Sequence, residues 1–151
     1  MSEQERFTPE QWRTLQFAPF WMFSAVIGAY GRFDPLEYQA FVRCLEAAAA
    51  AAEPLGREVL ASVVADRERL TALYQTDRRT IAVGLVEVSA VLGRVAPEEA
   101  EGFKAVLVSG IGEGVARARG RFGVQMSDED ADAVTLAAQL LAYDPDEQRR
   151  P

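Results

Sequence analysis

Signals that open α-helices recur along this chain, and they constrain its fold more than any other feature. Thr8-Pro9-Glu10-Gln11 sets a hydroxyl cap before a proline, with a glutamine at the third helical position, which is a capping box. Asp34-Pro35-Leu36-Glu37 repeats that grammar, Pro54 opens a third segment, and Thr76-Asp77, Pro97-Glu98-Glu99 and Ser127-Asp128-Glu129-Asp130 open later ones. Apolar residues between these starts fall at helical spacing, as in Leu55, Val59, Leu60, Val63 and Val64. The first helix is predicted to run to about Tyr30 and stop at Gly31, with Pro19 as a kink or break. The second is predicted to reach about Ala52, and its alanine run from Ala47 gives a thin profile that another helix can approach closely.

Two stretches compete with an all-helical reading. Thr80 to Leu92 is rich in Val and Ile, and Ala105 to Ser109 reads Ala-Val-Leu-Val-Ser, so either has strand character. An internal repeat decides for helix. Gly31-Arg32-Phe33-Asp34-Pro35-Leu36-Glu37 aligns with Gly93-Arg94-Val95-Ala96-Pro97-Glu98-Glu99, and the same offset superposes Phe41 on Phe103 and Leu45 on Leu107. Each copy reads as a helical hairpin in which glycine ends one helix and proline begins the next. The expected architecture is all-α: a single compact bundle of about seven helices with a helical-hairpin duplication. Residues 1–7 are expected to be a flexible N-terminus, 8–143 the helical domain and 144–151 a flexible charged tail.

Composition removes several chemistries. The chain has no His, which excludes His general bases, Ser-His-Asp triads, Cys-His dyads and His-bearing zinc sites. Its net charge of -7 argues against a dedicated nucleic-acid binder. One cysteine, Cys44, permits no internal disulfide and sits in an apolar helical pattern, as a small buried hydrophobe would. The polar, partly acidic start Met1 to Arg6 lacks the basic region of a signal peptide, so a cytoplasmic protein is expected. Thr14 to Gly31 carries no charge, but Gln16, Pro19 and Ser24 dilute it, and it reads as a buried core helix in preference to a membrane span.

Three clusters are candidates for chemistry. Gly110-Ile111-Gly112-Glu113-Gly114 superficially suggests a dinucleotide fingerprint, but Val115 or Arg117 stands where the third glycine is required; small residues at a tight helix crossing explain the cluster. Arg117, Arg119 and Arg121 form a basic patch that the acidic run from Asp128 is placed to neutralise, and arginines suit the negative end of a helix dipole. Asp34 and Glu37 at one helix start, and Asp128, Glu129 and Asp130 at another, offer oxygen ligands for a hard cation such as calcium or magnesium. The same positions serve as caps and as charges on the helix dipole. No catalytic carboxylate pair, activated nucleophile or phosphate loop emerges.

Ala25-Val26-Ile27-Gly28-Ala29-Tyr30-Gly31-Arg32-Phe33-Asp34-Pro35-Leu36-Glu37 resembles the signature of TerB-like domains, associated with tellurite resistance, which reads Ala-x-x-x-Ala-Asp-Gly-x-apolar-Asp-x-x-Glu. Phe103-Lys104-Ala105, through Gly120-Arg121-Phe122-Gly123, to Ser127-Asp128-Glu129-Asp130 resembles that family's second conserved region, and the likeness spans about Thr8 to Leu141. The resemblance implies an all-helical duplicated core and a metal site built from acidic residues of both regions: Asp34 and Glu37 from the first, and Asp128, Glu129 and Asp130 from the second. The family's first Asp is Tyr30 here, a poor ligand for a hard cation. The resemblance implies a non-enzymatic module in a stress or metal-resistance assembly that docks a protein partner; a homodimer is a further expectation for this chain. Two other readings stand beside it: a small-ligand protein or enzyme with Tyr30, Tyr38 or Trp21 in a pocket between helices, and membrane-peripheral association through the aromatic first helix.

Overall fold

A computed structural model describes residues 2–28, 33–119 and 127–144, and among these every regular element is helical. A 3-10 turn (Glu3–Arg6) precedes α1 (Pro9–Ile27), α2 (Pro35–Ala51), α3 (Pro54–Ala65), α4 (Arg67–Thr76), α5 (Ile81–Val95) and α6 (Ala100–Ala105). A π-helical segment (Val106–Glu113) leads without a break into α7 (Gly114–Arg119), and α8 (Asp128–Leu140) is the last described element. The α6–π–α7 stretch is therefore one rod, and both Val-rich stretches are helical.

Helix α1 forms the axis of the bundle. Thirteen of its residues are buried, from Trp12 to Val26, and α3, α5, the π segment and α8 all pack on it. Its uncharged aromatic run is thus core. The Thr8 capping box forms as expected, with Gln11 N–H donating to Thr8 Oγ1 at 3.1 Å and Thr8 N–H to Gln11 Oε1 at 2.9 Å. Helix α1 continues unbroken through Pro19. It stops earlier than expected, at Gly28, whose φ of +66° is the left-handed conformation that glycine adopts without steric penalty. The N–H of Gly28 closes the helix on the Ser24 carbonyl at 3.0 Å. Tyr30, Gly31 and Arg32 lie outside the described residues.

Aromatic rings fill the space around α1. Phe20 stacks on Tyr74 with centroids 5.1 Å apart, and Phe23 stacks on Phe41 at 4.3 Å. Ser24 and Tyr74 share a buried hydroxyl hydrogen bond of 2.7 Å, which satisfies both groups inside the core. Glycine lets neighbours close in where a side chain would intrude. A Cβ at Gly112 would lie 2.9 Å from Met22 Sδ, one at Gly114 2.8 Å from Cys44 Sγ, and one at Gly110 3.1 Å from Ala48 Cβ. The glycine cluster therefore serves helix crossing, and the alanine run of α2 takes part in it.

Several boundaries differ from expectation. Thr80, and not Thr76-Asp77, caps α5, its side chain accepting from Val83 N–H at 3.1 Å. Gly93 stays inside α5, which ends at Val95, and Pro97 lies in a turn ahead of α6. The N-terminal segment expected to be flexible is tied down. Glu3 and Gln4 N–H donate to the Glu58 carboxylate at 3.0 and 2.8 Å, and Phe7 packs on Trp12. Arg6 bonds Glu99 at 2.7 Å and holds that carboxyl below the usual range. The tail from residue 145 lies outside the described residues. No helix among the described residues is long and apolar enough to cross a membrane.

Candidate functional site

The two acidic helix starts singled out in the sequence are brought together by an arginine. Asp34 caps α2: its Oδ1 accepts from Leu36 N–H at 2.8 Å and from Glu37 N–H at 3.3 Å. Ser127 caps α8 in the same way, accepting from Asp130 N–H at 3.1 Å. The first turns that follow present Glu37 and Asp130 toward one point. Arg119, the last residue of α7, occupies it. Its Nε lies 3.1 Å from Glu37 Oε2 and its Nη1 lies 3.3 Å from Asp130 Oδ1.

The same Nη1 donates to the Val26 carbonyl in the last turn of α1. That carbonyl belongs to the set a helix end leaves without an intrahelical donor. The arrangement joins four helix termini: the C-terminal ends of α1 and α7, where a cation is favoured, and the N-terminal turns of α2 and α8, where carboxylates are favoured. Asp130 is nearly buried, while Glu37 and Arg119 are about one-third exposed along their side chains. Ion pairs this exposed contribute on the order of 1 kcal/mol or less each, and the shared guanidinium makes them a network.

A hard cation needs six or more oxygen ligands. Here the two converging carboxylates and the carbonyl already face guanidinium donors. Asp34 is turned onto the backbone of its own helix, and Asp128 and Glu129 are exposed in the first turn of α8. Among the described residues, no three His, Cys, Asp or Glu side chains are grouped to hold a metal ion. With Arg119 in place, the residues present do not fit a divalent cation. The arginine was legible only as part of a basic patch. Of that patch, Arg117 pairs with Glu113 at 3.3 Å, and Arg121 lies outside the described residues.

Cys44 is half-buried against α7, and burial pushes its thiol pKa up, with Arg43 opposing, so it is a poor nucleophile. Tyr38 lines an open groove with Gln39, Val42, Arg43, Arg67 and Glu68, and Tyr30 lies outside the described residues. Trp21 is fully buried, and the Tyr38 hydroxyl bonds Thr71 at 2.9 Å. An open groove of about 500 Å³ is lined by Pro9, Glu10, Arg13, Thr14, Asp77 and Arg79. Arg79 is engaged there by Asp77 at 2.9 Å, Glu87 at 2.6 Å and Thr14 at 2.9 Å, and it lies over the Trp21 ring at 4.7 Å. Arg13 Nε is buried there without an acceptor among the described residues. No nucleophile stands beside a base in this groove.

A third feature is a surface. Helix α5 buries Gly84, Leu85, Val88 and Leu92, yet its opposite face is also apolar: Ala82, Val83, Val86, Ala90 and Gly93 are all exposed, Val83 by 47% and Val86 by 50%. Periodicity found the buried side. The second side was masked because a helix apolar all round reads simply as buried.

No family model matches the chain, and no solved structure matches it. It is similar to "Uncharacterized protein ORF11'" of Methanothermobacter thermautotrophicus, 32% identical over 111 residues that cover 71% of this chain and 74% of that protein.

Proposed function

The chain belongs to the family of the Methanothermobacter ORF11' protein, and from that premise we propose that it is a non-enzymatic helical docking module of the TerB-like kind, binding a protein partner through the outer face of α5. The kinship names no activity, so the reading rests on the surface. One observation carries it: a 15-residue helix with an apolar outer face as well as an apolar buried one, Val83 and Val86 being left in solvent and Glu87 and Arg94 lying on one flank between the two. Helices of that character are ordinarily covered on all sides, and a contiguous exposed apolar face is a usual mark of a contact site. The clasp at Arg119 fits a scaffold: one guanidinium ties together the ends of four helices. A stress or metal-resistance assembly is the setting that the TerB-like resemblance suggests.

The test is affinity capture from the native host with the full chain as bait, beside a Val83→Glu/Val86→Glu variant of unchanged melting temperature. A partner held by the parent and lost by the variant supports docking through α5. Equal retention by both, or a parent that captures nothing and stays monomeric, overturns it.

A second reading, a small-ligand protein, draws on the buried, unpartnered Arg13 Nε in the 500 Å³ groove. It predicts that small carboxylates or phosphate raise the melting temperature of the parent and not of Arg13→Ala; no shift with either anion rejects it.

A further inference from the structure

We infer that the occupant of the exposed α5 face is α5 of a second copy, packed antiparallel across a two-fold axis; this deepens the docking reading and rests on it. The exposed residues Ala82, Val83, Val86, Ala90 and Gly93 fall within an arc of about 100° at the helical 100° per residue. They form one stripe along the helix. Its C-terminal half is made of small residues, and a Cβ at Gly93 would meet nothing within 4 Å.

Charge selects both the partner and the orientation. Glu87 and Arg94 are seven residues apart, so they lie on the same flank of the stripe, about 10 Å apart along the axis. Arg94 is exposed and makes no ion pair among the described residues. Glu87 meets Arg79 through Oε2, yet its side chain remains 45% exposed. In a two-fold contact, residue i faces residue j and j faces i. An antiparallel pair centred between Ala90 and Val91 sets each Glu87 opposite the Arg94 of the other copy, giving two equivalent ion pairs. The same register sets Val86 of each copy two residues from level with Gly93 of the other, with the two Ala90 residues near the axis, while Val83 lies level with Glu98, just past the end of the other α5. A parallel pair would set like charges level with each other, Glu87 with Glu87 and Arg94 with Arg94, and would form neither ion pair. The stripe is thus complementary to itself in one orientation and not in the other.

A helix of 15 residues is about 22 Å long. In the Glu87–Arg94 register the two helices overlap only over residues 86–95, about 15 Å, so the crossing falls short of the roughly 1,200 Å² at which stable interfaces begin. The dimer is therefore reversible and concentration-dependent.

Sedimentation velocity on the full chain, from roughly 5 to 500 μM, tests this. The parent is expected to shift from monomer toward dimer with rising concentration. Arg94→Glu alone and Glu87→Arg alone are each expected to weaken the dimer at least tenfold. Mixed in equal amounts, those two variants regain it. The unchanged Glu87 of one then meets the unchanged Arg94 of the other, and the two introduced side chains, opposite in charge, face each other. Glu87→Arg also faces Arg79, so an independent probe is added: Ala90→Cys in a Cys44→Ser background is expected to form a disulfide-linked dimer under mild oxidation. A parent that stays monomeric throughout, or a dimer indifferent to both charge changes, overturns the pairing. If the parent is monomeric and host capture still depends on Val83 and Val86, the second copy is wrong and the docking surface stands. If both results are negative, both fall.

Discussion

Arg119 Nε lies 3.1 Å from Glu37 Oε2, so a guanidinium from the end of α7 stands at the start of α2. It stands where the TerB-like resemblance implies a bound cation. Removing it leaves Asp130, nearly buried, and the Val26 carbonyl without that donor. We expect Arg119→Ala to lower stability by about 1–2 kcal/mol, discounted for partial exposure. That corresponds to a melting temperature lower by about 3–6 °C for a chain of this size. We also expect calcium, magnesium and manganese to leave the parent's melting temperature unchanged. A rise of several degrees with any of them in the parent would show that the clasp yields to a metal.

Gly84 and Gly93 share α5 but are opposite in environment. A Cβ at Gly84 would lie 2.6 Å from Trp21 Cζ2 and closer still to Cε2 and Cδ2, against a ring that is itself fully buried. We expect Gly84→Ala to cost about 1–3 kcal/mol or more by urea denaturation. Gly93→Ala meets open space in a helix, and we expect it to be neutral or stabilising by up to about 1 kcal/mol. Equal effects at the two positions would contradict the packing of Trp21 against α5.

The hydroxyls of Ser24 and Tyr74 partner each other at 2.7 Å inside the core. Tyr74→Phe removes one of them and leaves the other buried without this bond. Its expected cost is about 1–2 kcal/mol, with the fold retained. Adding Ser24→Ala should cost less than the sum of the two single changes, because the second removes an already stranded group. Strict additivity in the double-mutant cycle would deny the coupling.

Burial pushes the Asp77 carboxyl up, but bonds from the Arg79 side chain and backbone, with the guanidinium charge, outweigh it and hold the pKa below the usual range. A carboxyl depressed in the fold binds its proton more readily in the unfolded chain. Its contribution is therefore complete above the ordinary carboxylate value near 4 and drains away as pH falls through the depressed one. We expect urea midpoints to fall between pH 6 and pH 3, with a shallower fall in Asp77→Asn. Identical slopes in the two proteins would remove Asp77 from the acid response.

How much was legible in the sequence depended on the range of the interaction. The Thr8, Asp34 and Ser127 caps were readable because a cap is satisfied within three residues of itself. Where two local solutions competed, reading failed: Gly28 and not Gly31 ends α1, and Thr80 and not Thr76-Asp77 starts α5, because Asp77 is drawn to Arg79. The Arg119 cluster was out of reach. Glu37, Arg119 and Asp130 come from different helices, and only tertiary packing shows that Asp34 spends its oxygen on its own backbone while Glu37 turns outward to a distant arginine. The outer face of α5 was hidden for another reason: apolar residues on both sides of a helix carry no sign of which side the protein itself covers.

The aromatic axis α1 leaves the ribosome ahead of α5, the π segment and α8, which cover it. A nascent chain therefore covers its greasiest helix in stages, and the strip that α8 packs on stays bare until α8 has been made. Any fragment cut short before residue 128 leaves that surface uncovered along the α8 contact, and we expect such a fragment to aggregate more readily than the full chain.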